Sequence, residues 1–178
     1  MRIISGKLKG KSITFLKSAT TRPLKDSVKE NIFNVIAHSN LFSINLKKSN
    51  VLDLYSGIGS FGLECMSRGA NKITFVEKDK IATEILKKNL FNLSLQNKTI
   101  VVTDKISNFL NKKQPRNFEI IFLDPPFIEK NYIKELELIH KKKIYKKNHI
   151  VIIHREKKSF ENFEKIIDPL MIKKYGRS

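Results

Sequence analysis

From Val51 onward the chain alternates between two apolar patterns. Short, nearly continuous apolar runs predict buried strands over Val51 to Tyr55, Lys72 to Glu77, Thr99 to Asp104, Phe118 to Asp124 and His149 to His154. Between them, apolar residues at helical spacing predict helices near Phe61 to Arg68, Lys80 to Leu93, Ile106 to Asn111 and Tyr132 to His140. This alternation specifies an α/β fold, a mostly parallel sheet joined by right-handed crossovers with helices on both faces. Ahead of it, Val28, Ile32, Val35 and Ile36 fall on one face of a helix over Leu24 to His38. Met1 to Lys17 predict a hairpin turning through Gly6 to Gly10, Thr20 to Pro23 an extended link, and Ser39 to Asn50 a polar connection. An isolated two-stranded hairpin is marginal in water, so residues 1–23 are expected to pack on the main domain, residues 24–178.

The first strand runs directly into a glycine turn, VLDLYSGIGSFGLE, with Gly57, Gly59 and Gly62 in GxGxxG spacing and a helix after them. Such a turn lets backbone approach a nucleotide-like ligand and points helix N–H groups at it. Asp53, four residues before the first glycine, narrows the choice: a carboxylate there repels a pyrophosphate and attracts a cationic amino group or sulfonium. The stretch resembles motif I of S-adenosylmethionine-dependent methyltransferases, with Asp53 near the methionine moiety.

Three strands carry an acid at or near the C-terminal end, where open α/β sheets bind ligands. Glu77 lies twenty residues beyond Gly57, placed to accept both ribose hydroxyls. Asp104 is placed either to accept from an adenine amino group or to cap the next helix. The fourth strand ends in Asp124, Pro125, Pro126 and Phe127. Two prolines stop sheet pairing and stiffen the backbone, so the Asp124 side chain and the Pro125 carbonyl are expected to face the pocket. An exocyclic amine held by those two acceptors would aim its lone pair at the activated methyl, with Phe127 stacked on the base. A sulfonium methyl needs no strong base, so Asp124 would orient the amine and stabilise its growing positive charge.

Charge names the partner. Lys and Arg number 35 against 17 Asp and Glu, a formal +18, which favours a polyanion. Only six of the 35 are Arg in a chain rich in Lys, Asn and Ile, so biased coding accounts for part of the excess. The N-terminal thirty residues hold eight basic side chains against two acidic ones, and Arg2, Lys7, Lys9, Lys11 and Arg22 are the candidate phosphate contacts. The lone Cys65 is read as a small core residue, and the four histidines, His38, His140, His149 and His154, lack ligand spacing, so no metal is expected. No apolar run spans a bilayer and MRIISGKLKGK has no signal-peptide core, so a cytoplasmic protein is expected; nothing resembles a coiled coil, so a monomer is.

RIISGKLKGK, TTRPLKDSVKENIFNVI, LDLYSGIGSFGLECMSRGA, FVEKD and FLDPPF, in this order, resemble the bacterial RsmD family of 16S ribosomal RNA (guanine-N2)-methyltransferases. The resemblance runs from Arg2 to about Arg155. It implies a Rossmann-like methyltransferase fold with S-adenosylmethionine as cofactor and 16S rRNA, within the small ribosomal subunit, as substrate. It also implies that Asp53, Gly57 and Gly59 contact the cofactor, Glu77 its ribose, Asp104 its adenine, and Asp124 to Phe127 the target guanine. Leu24 and Ser27 stand where the family commonly has Thr and Arg, and no role is carried onto them. A last antiparallel strand normally lies beside the fifth; Leu170 to Tyr175 is expected to supply one more strand, and no sequence after it supplies the next.

The same tetrapeptide geometry serves an adenine-N6 methyltransferase acting on DNA or RNA, and a glutamine methyltransferase, which suits +18 poorly. A nicotinamide enzyme leaves Asp53 and the Asp124 tetrapeptide unexplained. The non-enzymatic alternative is a basic RNA-binding protein on a degenerate methyltransferase fold.

Overall fold

Five strands, β1 (Asn50–Leu54), β2 (Lys72–Glu77), β3 (Thr99–Thr103), β4 (Phe118–Leu123) and β5 (Tyr145–Ile153), form one parallel sheet in the order β3-β2-β1-β4-β5. The computed structural model describes residues 1–15, 24–114, 117–156 and 169–175. The helices are α1 (Asp26–His38), α2 (Ser60–Ser67), α3 (Lys80–Asn92), α4 (Ile106–Asn111) and α5 (Tyr132–Lys142). Every expected strand and helix of the alternating region is present, with ends shifted by a residue or two except at the start of β5. β5 begins at Tyr145 rather than His149, because Tyr145 already pairs with Phe118 of β4 and packs on the core, after which an irregularity carries the exposed Lys146 to Asn148 before regular pairing resumes at Ile150. Among the described residues no strand follows β5, and 170–175 form none, contrary to the expected sixth strand. The sheet residues alternate across two apolar layers. Val51, Ile73, Phe75, Ile120 and Phe122 face α1, α2 and α3, while Leu52, Leu54, Val76, Ile121 and Leu123 face α4 and α5.

The order reverses at β1, whose neighbours are β2 on one side and β4 on the other. Register pairs Leu54 with Val76 and with Leu123, so the three chain segments leaving β1, β2 and β4 emerge side by side. That crevice is where open α/β sheets bind ligands. No helix among the described residues is long and apolar enough to cross a membrane.

Helix α2 is unusual in burying all of Phe61 to Ser67. One side packs on the sheet, with the Phe61 ring stacked on Phe122 at 3.9 Å between centroids. Phe33 of α1 lies on the other side of Phe61 at 5.3 Å. The first fifteen residues cover what remains. They are not two regular strands but a turn closed by one antiparallel bridge, Arg2 with Ser12, with Ile3 and Ile13 buried in the core. Side chains of the main domain stitch this segment down. Glu64, fully buried on α2, accepts from the backbone N–H groups of Ile4 and Ser5 at 2.9 Å each and from Arg68 Nε at 2.9 Å. Ser67 Oγ accepts from Leu8 N at 2.9 Å, and Asn89 of α3 bonds both backbone groups of Thr14.

In α1 the buried positions are Val28, Lys29, Phe33 and Ile36, so Phe33 and a lysine replace the expected Ile32 and Val35. Lys29 lies inside because its ammonium pairs with Asp26 at 3.0 Å and donates to the Arg2 carbonyl at 3.3 Å. Cys65 is buried in the same layer, and burial pushes its thiol far above the ordinary range, in keeping with a core role.

Glu64→Ala strands two partly buried N–H groups and the Arg68 charge together. The variant should lose about 3–5 kcal/mol in urea unfolding. An unchanged midpoint would show that residues 1–15 do not depend on this carboxylate.

Candidate functional site at the sheet switch point

The turn after β1 starts with Tyr55 in the left-handed region at φ 57°, followed by Gly57 at 53° and Gly59 at 89°. The two glycines serve different ends. A Cβ at Gly57 would meet nothing within 4 Å, so this part of the turn borders open space that a ligand can fill. A Cβ at Gly59 would come within 2.4 Å of Leu86 Cδ1, which makes its smallness a packing requirement between α2 and α3. Tyr55 is held by its hydroxyl, which donates to Glu135 Oε2 of α5 at 2.6 Å. Burial, followed by the bond to Glu135, pushes the Tyr55 hydroxyl far up, and burial raises the Glu135 carboxyl as well.

The three acids expected for the cofactor occupy three different environments. Asp53, 1% exposed, faces α2 and accepts from Gly62 N at 2.9 Å through Oδ2. Burial pushes its carboxyl well above the ordinary range; the Gly62 bond opposes this, and the charges of Asp124 and Glu77 add to it. Glu77 bridges two backbones at the end of β2, accepting from Gly57 N with Oε2 and from Asp79 N with Oε1, both at 2.9 Å. Asp79 in turn caps α3 by accepting from Ile81 N and Ala82 N. Asp104 is occupied locally: Oδ1 accepts from Lys105 N and Asn108 Nδ2 at 2.8 Å, and Oδ2 lies 3.1 Å from Lys112 Nζ. The bond from Asn108 and then that from Lys112 hold its carboxyl below the ordinary range.

At the end of β4, Asp124 N donates to Leu54 O at 3.4 Å, so the tetrapeptide leaves the sheet directly beside the glycine turn. Neither of its expected acceptors stands alone. Asp124 Oδ1 receives a 2.7 Å bond from His154 Nδ1, and Arg155 Nη1 donates to the Pro125 carbonyl at 3.2 Å. The Pro125 carbonyl is therefore already engaged within the chain, which the expectation of a carbonyl reserved for substrate did not include. Pro126 is exposed, Phe127 half-buried and its neighbour Ile128 92% exposed, so the loop offers an apolar surface to a base.

His154 and Arg155 were not among the candidate site residues. The signal was their position: they follow the last residues of β5, which pairs in parallel with β4 and must end where β4 ends. Among the described residues no group of three or more His, Cys, Asp or Glu is placed to hold a metal ion.

The proposed phosphate contacts are spread out. Lys7, Lys9 and Lys11 are exposed, but Lys7 N donates to Ser67 O, so the turn lies at the C-terminal end of α2. The glycine turn is at the other end of this eight-residue helix, about 12 Å away. Arg2 sits nearer, 4.0 Å from Asp26, in the segment whose Met1 sulfur accepts from Ser60 Oγ. Arg22 lies outside the described residues.

A carboxyl raised by burial binds its proton more tightly when folded, so it removes stability as pH rises from about 4 through the raised folded value. Asp53→Asn keeps an acceptor for Gly62 N–H and does not titrate. At neutral pH the variant should therefore be more stable than the parent, with the difference vanishing in acid. Parallel pH profiles of unfolding for the two proteins would contradict this account of Asp53.

The family model described as Conserved hypothetical protein 95 matches residues 1–178. Ribosomal RNA small subunit methyltransferase D of Buchnera aphidicola subsp. Acyrthosiphon pisum is 35% identical over 156 residues, 88% of this chain and 78% of that protein. The protein of the same name from Haemophilus influenzae is 36% identical over 161 residues, 88% and 79% of the two chains. Among solved structures, Escherichia coli yhhF, assigned provisionally as a methyltransferase, matches with a TM-score of 0.75 at 28% identity, over 90% of this chain and 84% of that one. The chain belongs to the RsmD family, that of ribosomal RNA small subunit methyltransferase D.

Proposed function

We propose that this protein methylates the exocyclic N2 amine of a guanine in 16S rRNA, in the cytoplasm and on the small ribosomal subunit, with S-adenosylmethionine as methyl donor. One observation carries the reading: Asp53, Glu77 and Asp124 converge where the sheet order reverses, close enough that the charges of Asp124 and Glu77 raise the Asp53 carboxyl. Three acids in one crevice suit a cationic ligand, and the open face of Gly57 leaves room for it. The relatives' names supply the acceptor, ribosomal RNA of the small subunit.

When bound, S-adenosylmethionine supplies an electrophilic methyl group on a positively charged sulfur. Asp53 offers negative charge to the amino-acid end of the ligand from behind the turn. Glu77 uses one lone pair of each oxygen on Gly57 and Asp79, and the remaining pairs are free to accept two ribose hydroxyls. Asp104, bonded to Asn108 and Lys112, keeps acceptor capacity on Oδ2 for an amino group of the base. Asp124 and the Pro125 carbonyl orient the target amine by accepting from its two hydrogens, and Asp124 stabilises the positive charge that forms there. Phe127 provides the stacking face.

The reaction is tested by transfer of labelled methyl to unmodified small subunits, free 16S rRNA and DNA, followed by nucleoside analysis. Label should appear as N2-methylguanosine; label in adenine would replace the guanine assignment. Asp124→Ala should lower kcat about 100-fold or more with RNA affinity nearly unchanged. Replacing Lys7, Lys9 and Lys11 together by Ala should weaken RNA binding and reduce the slope of log affinity against log salt by about 0.7–0.9 per lost phosphate contact. An unchanged slope would remove the N-terminal turn from the RNA surface.

A further inference from the structure

The two acceptors assigned to the target amine are both held from one place, the end of β5. His154 is anchored there by its backbone N–H, which donates to Leu123 O at 2.9 Å, and its Nδ1 lies 2.7 Å from Asp124 Oδ1. Arg155 reaches across the loop with its guanidinium fork. Nη1 donates to the carbonyls of Pro125 at 3.2 Å and Pro126 at 3.0 Å, and Nη2 to that of Phe127 at 2.9 Å. The same guanidinium stacks 4.6 Å from the centre of the Tyr132 ring, which is fully buried.

Resting on the proposed methyl transfer, we propose that His154 and Arg155 are positioning residues: His154 aims the Asp124 carboxylate, and Arg155 fixes the backbone from Pro125 to Phe127. The target amine then meets Asp124 Oδ2 and the second lone pair of the Pro125 oxygen in a set direction.

The chemistry of each side chain supports the assignment. A carboxylate accepts, so the His154 hydrogen is on Nδ1. Its Nε2 is buried and has no hydrogen-bond partner among the described residues. An unpaired buried polar atom destabilises a fold, so packing alone would favour an apolar residue here. What the imidazole adds over an apolar side chain is its bond to Asp124. Arg155 answers a different deficit. Pro125 and Pro126 have no N–H, which deprives the loop of two donors, and one fork of Arg supplies donors to three consecutive carbonyls.

Three variants of the full chain test this. His154→Leu fills the space without a donor, His154→Asn restores an N–H near the place of Nδ1, and Arg155→Lys keeps the charge without the fork. His154→Leu and Arg155→Lys should lower kcat about 10- to 100-fold while KM for RNA and for S-adenosylmethionine stays within about twofold. His154→Asn should recover most of the loss, and His154→Leu should melt no lower than the parent. Full activity in His154→Leu or Arg155→Lys, equal loss in the Leu and Asn variants, or loss confined to KM overturns the assignment. A readout independent of turnover is 15N NMR of the imidazole: a protected Nδ1–H should be present in the parent and lost in Asp124→Ala. Its persistence there overturns the pairing. A parent that labels no acceptor refutes the methyl-transfer reading instead, and the NMR result then decides the His154–Asp124 contact by itself.

Discussion

The Asp53 carboxylate is held away from water at the C-terminal end of a central strand, and much of the surrounding structure follows from accommodating it. Strand alternation turns Leu52 and Leu54 toward α4 and α5 and turns Asp53 toward α2. A bare carboxylate there would be prohibitively costly, so a donor must lie close by. The donor is Gly62 N–H, in the first turn of α2, which requires the chain to reverse within the few residues between Leu54 and Ser60. That tight reversal is made by Tyr55, Gly57 and Gly59, all at positive φ. Glu77 then ties the turn to β2 through Gly57 N, bringing a second carboxylate toward the first. The result is a crevice in which acids from neighbouring strands lie close enough to raise one another's carboxyls.

A helix buried on every side is the second consequence. An ordinary crossover helix keeps a polar face to water, but α2 is covered on its outer side by residues 1–15. The covering segment pairs only part of its backbone with itself, and the N–H groups of Ile4, Ser5, Leu8 and Thr14 go to Glu64, Ser67 and Asn89. The basic turn is thereby mounted rigidly on the same helix whose other end forms the glycine turn. The exposed lysines of the N-terminal turn and the backbone of the glycine turn thus sit at opposite ends of one helix.

The loop after β4 shows the same economy from the other side of β1. Asp124 is bonded to His154, the loop carbonyls to Arg155, and Tyr55 to Glu135, so both sides of the crevice are braced by α5 and the end of β5. These side-chain braces add to the few backbone bonds within the loop and the turn, Glu129 N to Pro126 O and Gly59 N to Ser56 O, because the prolines bring no donors of their own.

The one-dimensional chain determined the element types, most of their boundaries, the glycine turn, the acids at the strand ends and the proline tetrapeptide. These are local properties: apolar periodicity, missing Cβ atoms and missing N–H groups act within a few residues. It left Lys29 and Phe33 off the buried face of α1, since burial of a lysine depends on Asp26 and the Arg2 carbonyl converging on it from two segments. It treated His154 as a histidine without ligand spacing, and no pattern along the chain relates it to Asp124 thirty residues earlier. Only the tertiary structure decided that β4 and β5 lie on the far side of β1 from β2. That strand order sets Asp53, Glu77 and Asp124 against one another and brings His154 and Arg155 to the loop. It is fixed by which apolar faces bury each other across the sheet, a choice made between segments distant in the chain.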